Sequence, residues 1–115
     1  MSPIRDSYTS IYKIWISYRI QEDDKADYKK RWSAVYESIK LLGDCGHFHD
    51  TTSFHMIQTS SELATVAQTL QREVEPEKDH VIVVNLETKN GIFIGNTEVL
   101  ESLKIFLPGI NIWED

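Results

Sequence analysis

A single cysteine, Cys45, stands in 115 residues, so no disulfide can close within the chain and a disulfide scaffold is excluded. Cysteine this scarce is the usage expected of a reducing compartment. Three prolines and five glycines, with no tract rich in either, leave no linker and no collagenous or low-complexity segment. No apolar run approaches the ~20 residues of a membrane-spanning helix. Met1-Ser2-Pro3-Ile4-Arg5-Asp6-Ser7 has neither the basic nor the apolar block of a signal peptide, which sets cytoplasmic as the expectation and membrane association as excluded. Basic residues are also in deficit. Twelve Lys+Arg against eighteen Asp+Glu give a net charge of −6, which argues against a general electrostatic grip on nucleic acid and leaves room only for a local basic face.

What is present is ordinary for one folded domain: 41% hydrophobic and 26% charged residues, in a chain long enough to bury a core without metal or disulfide. Ile11 to Ile20 is rich in β-branched and aromatic residues and predicts a strand. After a short acidic loop, Tyr28, Trp32, Val35, Tyr36, Ile39 and Leu42 recur at helical spacing. Gly43 then suits a left-handed cap. His47–Asp50 and Phe54–Gln58 read as two short strands about Thr51-Thr52-Ser53. Pairing Asp50 with Ser53 would put His47 and His49 on one face with Phe54 and Met56, and His55 on the other.

Thr59-Ser60-Ser61-Glu62 has the form of a capping box ahead of a helix carrying Leu63, Val66, Ala67, Leu70 and Val74, which Glu75-Pro76 would end. His80–Glu87 is the most apolar strand, and Asn90-Gly91 is the strongest hairpin signal, returning through Ile92-Phe93-Ile94. Val99, Leu100, Leu103, Phe106 and Leu107 mark a third helix, closed by Pro108-Gly109.

This order predicts an α+β, ferredoxin-like split βαβ sandwich (βαββαβ) with a C-terminal hairpin strand and helix. The expected divisions are an N-terminal tail over 1–10, one domain over 11–107 including the C-terminal helix, and a C-terminal tail over 108–115. Both crossover helices should lie on one sheet face, with Trp32, Val35, Ile39, Leu63, Val66, Leu70, Ile82 and Val84 in the core. The opposite face needs a cover, because an exposed sheet bearing Trp15 or Phe93 calls for a partner subunit, a terminal helix or a stacked base.

Asp27-Tyr28, Ile39–Gly43, His47-Phe48-His49-Asp50-Thr51-Thr52, Ser61-Glu62-Leu63, Asp79–Leu86 and Gly91–Gly95 follow one another in an order that resembles the SinR-like branch of the CRISPR-associated Cas-two family. The resemblance runs over Asp27–Gly95. It implies a homodimer, a role in defence or mobile-element biology, and either a divalent-metal nuclease with an Asp ending the first strand or a structural DNA-bridging function. This chain departs from the pattern at that Asp: Tyr18-Arg19-Ile20 stands where Tyr-Asp-Leu would be. A guanidinium cannot ligate Mg²⁺ and repels it. The expectation is therefore a non-catalytic dimeric module that binds a protein or nucleic-acid partner without a cofactor. The alternative is a Mg²⁺- or Mn²⁺-dependent endonuclease whose carboxylates have moved into the 22–27 loop. Ile14–Arg19 also resembles the opening of a TIR domain, whose parallel sheet the downstream double strand does not suit.

The candidate ligand contacts are Tyr18 and Arg19 at the strand end, with Lys25 and Lys29 on the flank of the first helix beside Lys30 and Lys40. Asp23 and Asp24, with Asp27 behind them, are weak metal candidates, as are His47 and His49. The bland readings are a solvated acidic loop, a charged helix face, a solvated strand face and a surface ion pair from Arg19 to Asp23 or Asp24. Cys45 has no activating base fixed beside it in sequence.

Overall fold

The computed structural model describes residues 10–51 and 53–114. Apart from Ser10, the expected N-terminal tail lies outside the described residues, as do Thr52 of the expected turn and Asp115. The elements in chain order are β1 (Tyr12–Arg19), α1 (Lys25–Leu42), β2 (Gly46–Thr51), β3 (Phe54–Thr59), α2 (Leu63–Gln71), β4 (His80–Asn85), β5 (Gly91–Ile94), α3 (Thr97–Phe106) and β6 (Ile110–Ile112). They form an α+β structure with a six-stranded mixed sheet ordered β2-β3-β1-β4-β5-β6. β1 runs antiparallel to both neighbours, β3 and β4, so the parallel sheet of a TIR domain is overturned; only β5 and β6 pair in parallel.

Alternation along β1 decides the layers. Ile14, Ile16 and Tyr18 are buried against α1 and α2, together with His55 and Ile57 of β3 and Val81 and Val83 of β4. Helix α1 buries Arg31, Val35 and Ile39, and α2 buries Val66, Ala67 and Leu70. Three expected core residues are only half-buried. Trp32 is one step round from the buried line of α1, Leu63 is the first residue of α2, and Ile82 faces the other side of the sheet. There α3 covers β4 to β6 through a second cluster, in which Leu100, Leu103 and Leu107 pack on Phe93, Ile110, Ile112 and Ile82.

Local signals were redirected where strand pairing competed with them. Thr59 is held in β3 opposite Tyr12, so the capping box does not form. Its Oγ1 accepts from Ser61 N (3.0 Å), and Glu62 takes the cap position with no side-chain bond. Helix α2 ends at Gln71, before Glu75-Pro76. Gly43 is not left-handed (φ −78°); a Cβ there would sit 2.8 Å from Gly46 O, so crowding against the next strand is what demands glycine. The β4–β5 hairpin forms, but Asn90-Gly91 is not its turn. Asn85 Oδ1 accepts from Glu87 N and Thr88 N, and Lys89 takes the positive φ (67°). The expected C-terminal tail contains a further strand, β6, because Ile110 fills the space beside Phe93 and Leu100. It pairs with β5, so Ile92–Ile94 is not the free edge that a two-fold strand pairing was expected to use.

Candidate functional site

Every acidic side chain proposed as a metal ligand is already engaged within the protein. Asp24 caps α1, its Oδ1 accepting from Ala26 N (3.0 Å) and Asp27 N (3.1 Å). Asp23 pairs with Lys78 (2.8 Å) and approaches Arg31 (3.5 Å), and the Lys78 bond, above all, holds its carboxyl down to about 2. Asp27 bonds Arg31 one turn below it. Arg31, 6% exposed, meets the fully buried Asp79 through Nε (3.0 Å) and donates to Gln21 O (3.0 Å). Asp79 also accepts from Gln21 N and Glu75 N (2.9 Å each). One guanidinium thus ties the β1–α1 loop to the segment before β4, and the surrounding carboxylates compensate the charge that burial would otherwise expel.

The histidines also depart from expectation. A bulge between His49 and Thr51 shifts the register, so His49 pairs with His55 and His47 with Ile57, which places all three imidazoles on the helix side. Phe48, Phe54 and Met56 take the other side. His47 Nε2 lies 2.8 Å from His55 Nδ1, and His55 Nε2 lies 3.2 Å from the Tyr18 hydroxyl. The rings of His49 and His55 stack at 4.2 Å with planes 8° apart, and Tyr36 stacks on Trp32 beside them. Imidazole lone pairs lie in the ring plane, so stacked parallel rings do not aim at one ion. No group of three ligating side chains converges among the described residues. Burial, then His49 and His47, pushes the His55 pKa down to about 4; burial, then Tyr36 and Tyr28, pushes Tyr18 up to about 12.

Tyr18 is therefore a core residue. Arg19 is exposed, and neither it nor Lys25 or Lys29 makes a side-chain hydrogen bond or ion pair among the described residues, so the expected Arg19 pair with Asp23 or Asp24 is absent there. By register Arg19 sits opposite His80, on the sheet face away from α1. The structure thus does not gather it with Lys25 and Lys29 on one layer. Arg19 borders two clefts at the end of β1, one with Tyr28, Trp32 and Ser53, the other with Ser17, His80 and Ile82. Lys40 lies near Glu37 (3.8 Å) and over the Tyr36 ring. Cys45 is exposed, and burial together with Asp44 raises its thiol pKa, the reverse of activation.

The sequence reading missed Arg31, which looked like one more charge on a polar helix face. It also missed the open sheet surface over β2, β3 and β1, where Phe48 and Met56 are exposed and Trp15 and Phe54 half-buried. The alternation of Trp15 between Ile14 and Ile16 was the available signal. Among the described residues no helix is long and apolar enough to cross a membrane. No family model, no curated protein and no solved structure matches this chain.

Proposed function

We propose that this protein is a non-catalytic interaction module on a ferredoxin-like sheet, with the dimeric habit and the defence or mobile-element role implied by its resemblance to the SinR-like branch of the Cas-two family. The strand order β2-β3-β1-β4, antiparallel throughout and backed by α1 and α2 on one face, supports the ferredoxin-like assignment. The observation that carries the non-catalytic reading is the charge at the end of β1. Arg19 occupies that place, and Asp23, Asp24, Asp27 and Asp79 are committed to Lys78, Arg31 and backbone amides. A phosphodiesterase metal needs carboxylate oxygens to hold it and to lower the pKa of the attacking water. Freeing them here means breaking the Arg31 tie or uncapping α1.

The expected outcome is no cleavage of labelled RNA or DNA by metal-saturated protein in Mg²⁺ or Mn²⁺. Cleavage that disappears in the Asp23→Ala/Asp24→Ala variant would defeat this reading and move the site into the acidic loop. For the dimer, with β5 closed by β6, the free edges among the described strands are β2 and β6. Light scattering after gel filtration is expected to give twice the 13.3 kDa chain mass, and a monomer mass at micromolar concentration refutes it.

A further inference from the structure

From the open face of the sheet we infer that the partner of this module is single-stranded RNA, bound across β3 and β1; the inference rests on the non-catalytic reading above. Cross-strand pairing defines the face. Lys13 stands opposite Gln58, Trp15 opposite Met56 and Val84, Ser17 opposite Phe54 and Ile82, and Arg19 opposite His80. Phe48 of β2 adjoins Met56. The Trp15 and Phe54 rings, 5.8 Å apart on adjacent strands, form the centre. Helix α3 covers β4 to β6 and leaves the area over Trp15, Phe54, Met56 and Phe48 uncovered by any described helix. Sheets that recognise RNA stack two or three bases on rings placed in this way.

Charge decides between occupants. In a chain of net charge −6, none of the ladder positions on this face of β1, β3 and β4 is a carboxylate, and Lys13 and Arg19 make no ion pair among the described residues. Asp50 sits at the bulge of edge strand β2, outside the regular ladder. Lys13 and Arg19 are six residues apart along β1, about 20 Å, and His80 adjoins Arg19. Cations therefore flank the aromatic centre at both ends. A second copy stacked face to face with its two-fold axis along or across the strands would bring cation onto cation, whereas a polyanionic strand neutralises both ends while its bases stack between them. A cleft of about 280 Å³ lies at the Lys13 end, between Phe48, Met56, Gln58 and Leu86. Ser17 and Gln58, beside the rings, supply hydrogen-bonding groups for 2′-hydroxyls, the feature that separates RNA from DNA.

The test is fluorescence anisotropy of a labelled ten-nucleotide RNA of mixed sequence, with DNA of the same sequence as the second arm. RNA is expected to bind more tightly than DNA. Trp15→Leu and Phe54→Leu should each weaken RNA binding about tenfold or more. Lys13→Glu/Arg19→Glu, an exposed pair whose replacement leaves the fold intact, should lower the slope of log affinity against log salt by about 1.4. Arg72→Glu, at the end of α2 in the other layer, should leave affinity unchanged. The inference is overturned by absent RNA binding at about 100 μM protein, by DNA binding as tight as RNA, by affinity indifferent to both the aromatic and the charge variants, or by a dimer that Trp15→Leu converts to monomer. Cleavage of the RNA in Mg²⁺ with affinity still dependent on Trp15 would refute the non-catalytic reading and leave the platform standing. Intact RNA whose affinity ignores both sets of variants would do the reverse.

Discussion

Acidification should destabilise this protein before its carboxylates protonate, and His55 is the reason. Its side chain is fully buried between β2 and α1, with His47 and Tyr18 on its two ring nitrogens, His49 stacked on one face, and Tyr36 and Lys40 near the same cluster. Both ring nitrogens of the neutral imidazole have partners, the Tyr18 hydroxyl at Nε2 and His47 Nε2 at Nδ1. A second proton has no solvent to hydrate it and lies against the rings of His49 and His47. Burial and those neighbours hold the folded pKa near 4 against the ordinary 6.5. Between these values the unfolded chain binds a proton that the folded chain refuses, so stability falls as the pH drops through this window and levels off below about 4. The gap corresponds to about 3 kcal/mol, a large part of the 5–15 kcal/mol of a typical domain. Urea denaturation at half-unit steps from about pH 7.5 to 4 measures it. His55→Gln, which retains an acceptor for Tyr18 and does not titrate, should flatten the profile across the window. Asp23, held near 2, loses its contribution only below its ordinary 3.8, so the two effects separate on the pH axis. Parallel profiles for the two proteins, or an NMR titration placing His55 near 6.5, would refute the reasoning.

Asp79→Ala should cost about 3–5 kcal/mol in the same assay, because it removes the fully buried partner of Arg31 and leaves two backbone amides without their acceptor; a loss below about 1 kcal/mol would show that solvent already reaches Arg31. Ile39→Ala and Leu70→Ala, both at fully buried positions between the helices and the sheet, should each cost about 2–5 kcal/mol, read from the denaturation midpoint at constant slope.

The parts of the fold legible in sequence were those specified by many residues at once. Helix α1 repeats its apolar positions over five turns, and β1 alternates over eight residues, so one deviant position changes neither element. Strand β6 has only three residues, Ile-Asn-Ile, too few for a period, and exists because β5 and α3 provide a place for Ile110. Side-chain parity was harder still. Whether His55 joins His47 and His49 depends on a single bulged residue near His49, and one residue of register exchanges the faces of a whole strand. That one shift brings His47 and His49 to the face where His55 is buried beside Tyr18, and turns Phe48 to the face that Phe54 and Met56 hold by pairing with β1. An exposed Arg or Lys is common in any sequence, but a cation-flanked aromatic surface exists only once pairing has placed Lys13, Trp15 and Arg19 on the side opposite Ile14, Ile16 and Tyr18.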